Sequence, residues 1–470
     1  MAILALSKPV TTKDFCGERT DYSQVDFSSQ DQHVAACPPS EAQSIARLSS
    51  YLTSPFVGDR IAQLRTIFTW IARNIRYNMA GFRSGNLGDN SAEAVLCSRT
   101  GVCAGYSNLF MALSAQQHLG VTMVVGDARG YGFKVGTRDR GGKHAWNAVE
   151  VNGEWLLIDS TWGSGGATSD DGGPRTGSGD DDPFNPYYFL VRPEQMIYTH
   201  WPTKAEEQFL DPPVCEDLYL ELPAIQWAAW SIGLWPTAPY TSQVLHADDD
   251  FVELAIRMAP STASSSSINN TPTVPRLKLA WNGSSLSNDE LPIGPFWYAE
   301  DEETGDIVYS FRFFCPSQGT GELSVFAFVD GGAGGGVMKA NRSLLYRVVN
   351  EGTGARFQPP LQQSPVAATP VVVVEPWTAL IASGVQQKVC VRVVQTASKN
   401  SRSKAPTFVV IQNGGGGIML RHPPTMLKEV KPGWFEVVRT FSPGEYFIGS
   451  SNGSALMPTS FSVLTSFNVK

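Results

Sequence analysis

Asn152-Gly153 stands between two β-rich runs, Ala145–Val151 and Glu154–Thr161, and this pattern constrains the chain more than any other. An Asn-Gly pair fills both left-handed positions of a two-residue turn at little cost, so the runs are expected to form an antiparallel hairpin. Val151 then faces Glu154, Trp146 faces Asp159 and His144 faces Thr161. Residues two apart on a strand share a face. His144 and Asp159 therefore become diagonal neighbours, roughly 7–8 Å apart at Cα, within reach of a carboxylate-to-imidazole hydrogen bond. A slip of one residue would put them on opposite faces.

Upstream, Arg99-Thr-Gly-Val-Cys-Ala-Gly-Tyr-Ser-Asn-Leu-Phe110 places Cys103 after a glycine turn and at the start of an apolar helix. The positive end of a helix dipole stabilises a thiolate, and the Cys103 N–H can donate to an oxyanion. Ala104 and Gly105 are small and are expected to leave room beside the sulfur, with Gly101 permitting the turn. Cys103, His144 and Asp159 thus supply a nucleophile, its base and the orienter of the base. Asn78 and Asn90 are candidates for a second oxyanion donor.

Composition narrows the alternatives. Across 470 residues, 44 acidic and 36 basic side chains give a net charge of -8, too mild for a dedicated nucleic-acid binder. No run of 18 apolar residues occurs, so no membrane span is expected. The first residues lack a basic segment and a long apolar core, which reads as cytoplasmic. The seven cysteines are odd in number and include no Cys-x-x-Cys, so neither a zinc ribbon nor a thioredoxin motif is read. His33, His118, His200, His246 and His422 make no ligand pattern, and no metal or other cofactor is expected.

Periodicity divides the chain. Residues 1–38 are polar and read as an N-terminal arm. Helices are expected from about 40, from Asp59 to Ile75 and from Cys103, and strands from Val121 onward. Residues 163–183 read as an acidic Gly/Ser/Asp surface loop, and 263–275 as a second polar loop. Short β-rich runs follow: Phe251–Ile256, Arg276–Ala280, Ile307–Phe313, Leu323–Phe328, Val389–Val394 and Phe435–Phe441. They suggest β-sandwiches over 216–351 and 370–470, joined by a linker at 352–369. The first domain is expected to span 39–215.

Five motifs carry a family resemblance. They are Ile67-Phe-Thr-Trp-Ile-Ala-Arg-Asn-Ile-Arg-Tyr77, Gly101-Val-Cys-Ala-Gly-Tyr106, His144-Ala-Trp-Asn147, Asp159-Ser-Thr-Trp-Gly163 and Tyr187-Tyr-Phe-Leu190. Together with Pro193-Glu-Gln-Met-Ile-Tyr-Thr-His-Trp-Pro202 they resemble the transglutaminase-like superfamily, in the branch of kyphoscoliosis peptidase, hillarin and related cytokinesis proteins. The resemblance implies an α+β papain-like cysteine domain followed by all-β, immunoglobulin-like sandwiches. It also implies Cys103 as nucleophile, His144 as base and Asp159 as orienter. The implied activity is that of a cysteine peptidase or amidase acting on protein through a thioester. Acyl transfer to lysine, as a transglutaminase, is one alternative. A non-catalytic adaptor for cytoskeletal or other protein partners is the other. Two features depart from the pattern: Asn78 stands where an Asp is expected, and the 163–183 loop is long. No zinc-binding cysteine pairs and no calcium-type acidic cluster accompany the motifs.

Overall fold

The computed structural model describes residues 22, 25–130, 132–165, 183–231, 233–238, 242–247, 251–258, 276–281, 284–285, 297–300, 307–315, 317–329, 339–352, 371–375, 380–381, 386–393, 407–412, 425–431, 434–451 and 462–469. The chain forms two compact units, Met1–Ser231 and Ile232–Lys470. Most of the 163–183 and 352–369 segments, all of 263–275 and most of the N-terminal arm lie outside the described residues.

The first unit begins with α1 (Ser28–Ala35), α2 (Ile45–Thr53) and α3 (Arg60–Asn74). Side-chain caps fix two of these starts. Ser44 accepts from the Arg47 N–H, and Asp59 accepts from the Ala62 N–H. α3 is buried almost throughout, because α1 covers one flank and α2 another. Arg65 of α3 pairs with Asp31 of α1 at 2.7 Å, and its guanidinium lies over Phe27 and Phe68. The described part of the N-terminal segment is thus packed on the first unit, and Phe27 and Val34 join its core.

Next come β1 (Arg76–Tyr77), α4 (Met79–Ser84), α5 (Ala92–Ser98), β2 (Thr100–Gly101) and α6 (Cys103–Ala115). β1 and β2 pair in parallel, with Tyr77 opposite Gly101. Asn78, the departure from the expected Asp, caps α4 by accepting from the Gly81 N–H. Either side chain does that job about equally well.

β3 (Val121–Ala128), β4 (Gly142–Val151), β5 (Glu154–Ile158) and, after the helical turn α7 (Ser160–Gly163), β6 (His200–Pro202) complete the scaffold. They form one antiparallel sheet in the order β5-β4-β3-β6. The hairpin has the expected register, Val151 opposite Glu154 through Asn147 opposite Ile158. Asn152 and Gly153 have φ of 54° and 83°, the left-handed pair that a primed turn requires. The second strand is shorter than the sequence suggested. It stops at Ile158, because the Asp159 carboxylate captures the Thr161 and Trp162 N–H groups and starts α7.

α6 lies across β4 and β3 and against α3. Tyr106, Leu109, Phe110 and Leu113 give it a fully buried stripe. Polar ties fix its height: Tyr106 Oη donates to Ile75 O at 2.7 Å, and Asn147 of β4 donates to Ser107 O at 3.3 Å.

The second unit is built of strands. Trp297–Glu300, Ile307–Phe314, Phe251–Met258 and Leu234–Ala238 form one antiparallel sheet in that order. Arg276–Trp281, Gly319–Val329 and Lys339–Asn350 form the body of another. Farther on, Val371–Glu375, Gln386–Val393, Trp434–Thr440 and Lys428–Lys431 pair in that order. A last sheet centres on Ser462–Val469, Gly444–Ser451 and Thr407–Gln412. Alternate residues point inward, as with Val252, Leu254 and Ile256, or Leu277, Leu279 and Trp281. The six runs read as strands from sequence all fall in strands, three of which, Phe251–Met258, Gly319–Val329 and Gln386–Val393, extend two to four residues beyond the run at one end.

Candidate active site

Cys103 is the first residue of α6. Its N-cap, Val102, offers no side-chain acceptor, so the first N–H groups of the helix keep their positive end open beside the sulfur. The approach to the helix is held by Asn90, whose Oδ1 accepts from the Val102 N–H at 3.0 Å. Asn90 Nδ2 donates to Leu87 O and Gly88 O within its own loop. Asn90 and Asn78 therefore act in the backbone framework of the site. Neither side-chain amide is directed at the thiol by these bonds.

Two glycine roles differ from the sequence reading. A Cβ on Gly105 would meet Asn90 Oδ1 at 2.7 Å and Val95 Cγ2 at 2.8 Å. Gly105 is small so that α6 can close on the Asn90 loop, not to leave space for a substrate. The left-handed residue before the helix is Arg99, with φ of 59°, whereas Gly101 lies in β2 against Val95.

His144 sits on β4 opposite Gly126, whose lack of a side chain lets the β6 backbone at Trp201 and Pro202 approach closely. Its Nε2–H donates to Asp159 Oδ2 at 2.7 Å. The His144 imidazole and its charge, with the Ala145 backbone N–H, act on the Cys103 sulfur, and Cys103 acts in turn on His144. The structure joins His144 to Asp159 by a direct hydrogen bond, and Cys103, at the helix start, is electrostatically coupled to His144.

Asp159 is buried and fully engaged. Oδ1 accepts from the Thr161 and Trp162 N–H groups at 2.8 and 3.0 Å, and Oδ2 accepts from His144 and from His200. Its carboxylate therefore both caps α7 and orients the imidazole.

The electrostatics follow from these contacts. Burial raises the Asp159 carboxyl, but the His144 charge and the imidazole hydrogen bonds more than reverse it, leaving it well below the carboxylate range. Burial lowers His144, yet Asp159 and Cys103 outweigh that and raise it above the ordinary imidazole value. Burial raises the Cys103 thiol, and the bond and charge of His144 with the Ala145 N–H bring it below its ordinary value. The group can thus hold its proton on the imidazole rather than on sulfur.

His200 is the residue the sequence reading missed. No spacing in the sequence assigns it to a cluster, but β6 pairs with β3 and brings its Nε2 to 3.1 Å from Asp159 Oδ2. Ligand atoms of His144, Asp159 and His200 lie within 4.8 Å of one another, close enough to surround a metal ion. Their separations of 2.7 and 3.1 Å are hydrogen-bond distances, and each Nε2 is satisfied by donating to the shared oxygen. Hydrogen bonding accounts for the cluster without an ion. Trp146 and Trp162 enclose it, with ring centroids 5.0 and 4.5 Å from that of His200.

Residues 48–160 match the Transglutaminase-like superfamily. Kyphoscoliosis peptidase of Mus musculus is 31% identical over 154 residues, covering 33% of this chain and 22% of the relative. Hillarin of Drosophila melanogaster is 25% identical over 310 residues, covering 64% of the chain and 37% of hillarin. Cytokinesis protein 3 of Schizosaccharomyces pombe is 24% identical over 231 residues, covering 49% and 25%. A crystal structure of a TGase aligns over 37% of this chain and 42% of that one, at 15% identity and a TM-score of 0.20, too distant to bear on the fold.

The chain therefore carries a transglutaminase-like domain. The relatives it matches place it beside the kyphoscoliosis peptidase, hillarin and cytokinesis protein 3 branch. It spans about a fifth to two fifths of the length of these relatives. The hillarin match is longer than the 231 residues of the first unit, so it extends into the strand-rich second unit. Among the described residues, no helix is long and apolar enough to cross a membrane.

Proposed function

We propose that this protein is a cysteine hydrolase of protein amide bonds, with Cys103 as nucleophile, His144 as base and acid, and Asp159 as orienter. The observation that carries the reading is His144 bonded to Asp159 Oδ2 at 2.7 Å, with the His144 charge acting on the Cys103 thiol. The Cys103 thiolate attacks a peptide or carboxamide carbonyl. The resulting oxyanion lies by the open N–H groups at the start of α6. Collapse expels the amine, which takes its proton from the His144 imidazolium and leaves a thioester. Water then loses a proton to His144, adds to the thioester, and releases the acid and the Cys103 thiol. If a lysine amine replaces water, the product is an isopeptide bond, as in a transglutaminase. The peptidase or amidase outcome is the one favoured by the kyphoscoliosis peptidase relative. A papain-like layout over 39–215 and immunoglobulin-like sandwiches over 216–351 and 370–470 belong to the same proposal. So does a cytoplasmic setting that keeps Cys103 reduced.

The test is labelling of the full chain by a peptidyl chloroacetamide, with the site mapped by mass spectrometry. Cys103 should label in preference to the exposed Cys97 and Cys215, and Cys103→Ala should lose that product. Equal labelling of the three thiols would contradict the assignment.

One further reading has support, since a relative is named a cytokinesis protein: on it the chain is an adaptor whose strand-rich second unit binds protein partners, cytoskeletal ones included. In that case a Cys103→Ala chain would rescue a loss-of-function phenotype in full.

A further inference from the structure

We propose that His200 is a positioning residue that acts through Asp159, with its second ring nitrogen hydrogen-bonded to Thr199. The inference rests on the reading of Cys103, His144 and Asp159 given above. Its basis is a chain of hydrogen bonds continuing past the carboxylate: Thr199 Oγ1 to His200 Nδ1 at 2.8 Å, and His200 Nε2 to Asp159 Oδ2 at 3.1 Å.

The tautomer follows from the acceptor. Ionised Asp159 has no proton to offer, so a bond at 3.1 Å requires that Nε2 carry the hydrogen. Nδ1 is then a lone pair and must accept, and the Thr199 hydroxyl at 2.8 Å is its donor. With the opposite tautomer, a lone pair would face the carboxylate inside a closed site, which is repulsive. The acceptor-only carboxylate of Asp159 thus selects the form of His200 that supports it, and the Thr199 hydroxyl meets the other ring nitrogen. Met196 O, 3.3 Å from the same hydroxyl, is the farther of the two acceptors for its one hydrogen.

His200 must stay neutral for this role. Burial pushes it down to about 4, and the neighbouring His144 charge pushes in the same direction against the pull of Asp159. The titratable groups facing the assembly are Cys103 and Tyr106 from α6, Tyr77 from β1, and Tyr188. Burial raises all three phenols above their ordinary value, so they remain uncharged. One negative carboxylate therefore faces one imidazolium, that of His144. The other imidazole donates a hydrogen bond without bringing a second positive charge.

The geometry also explains why two histidines share one oxygen. The Thr161 and Trp162 N–H groups anchor Oδ1 only. The position of Oδ2 about the Cβ–Cγ axis is fixed by His144 and His200 from two sides. Without His200, the orientation of the base would depend on His144 alone.

The experiment is the pH dependence of Cys103 alkylation by iodoacetamide in the full chain, resolved by peptide mapping, in His200→Phe, His200→Gln and Thr199→Val. In His200→Phe the Cys103 rate near neutral pH should fall about 10–100-fold, the usual scale for losing a partner that orients a functional histidine. The thiol titration should move up toward the ordinary range. His200→Gln, whose amide can still donate to Asp159, should stay within about threefold of wild type on that scale. Thr199→Val should shift the titration in the same direction as His200→Phe. A folded His200→Phe chain with an unmoved titration would overturn the proposal while leaving the Cys103 assignment intact. If His200→Phe does not fold, an unmoved Thr199→Val titration overturns it. A wild-type Cys103 that titrates as an ordinary thiol would overturn both readings.

Discussion

Replacing Asp159 by Asn tests the charge at the centre of the site with almost no change in shape. Asp159 accepts four N–H bonds, at 2.8, 3.0, 2.7 and 3.1 Å. An asparagine has one acceptor oxygen and an NH2 group. If the oxygen keeps the helix cap, the NH2 points at two imidazole N–H donors, and His144 loses its counter-charge. Removing one partner of a buried pair costs about 3–5 kcal/mol. The pH dependence has a definite sign. Asp159 is lowered, so its contribution is present above the unfolded carboxyl value of about 3.9 and is lost as pH falls through the folded value. His144 is raised, so its contribution is present below its unfolded value of about 6.5 and is lost as pH rises through the folded one. The gap between wild type and Asp159→Asn is therefore widest between about pH 4 and 6.5 and narrows on both sides. Urea unfolding of the two chains across that range measures it. Amide cleavage should fall on the scale of about 10⁴, the loss seen when a triad carboxylate becomes an amide. A variant within about 1 kcal/mol of wild type across the window, with Cys103 reactivity unchanged, would refute the reasoning.

Other substitutions probe the framework. Gly105→Ala pushes a methyl into Asn90 Oδ1 and Val95, so a loss of about 1–3 kcal/mol and slower Cys103 labelling should appear together in thermal melts and labelling kinetics. Gly153→Val places a branched side chain at φ 83° and should cost about 1–2 kcal/mol in urea titration. Arg65→Met leaves Asp31, 30% exposed, with the Thr69 hydroxyl but no counter-charge from Arg65, so the cost should sit near the low end of about 3–5 kcal/mol. The cysteine labelling rate should be nearly unaffected at equal folded fraction, because this pair lies on the α1–α3 face of the unit.

The parts of the site that depend on local sequence were legible, and those that depend on distant pairing were not. Asn152-Gly153 sets the hairpin register by turn chemistry alone, and the register places His144 and Asp159 on one face. The helix beginning at Cys103 follows from its apolar period. His200 lies 41 residues past Asp159 and arrives through β6 pairing with β3, which no local pattern encodes. Its flanking motif was visible as part of the family resemblance, but nothing in the spacing pointed to Asp159. The early end of β5 was lost for a different reason: strand propensity carries on to Thr161, while the Asp159 side chain competes for the next two N–H groups and wins. Gly105 was misread because its need for smallness comes from Asn90, 15 residues earlier, and not from the space beside the sulfur.

The central claim is that His144 holds the proton that Cys103 gives up. The most direct measurement is the pH profile of Cys103 alkylation in the unmodified chain, with exposed Cys97 as an internal reference. Cys103 should remain reactive well below the pH at which Cys97 loses its thiolate, and His144→Ala should bring the two profiles together. Coincident profiles in the unmodified chain would contradict the claim.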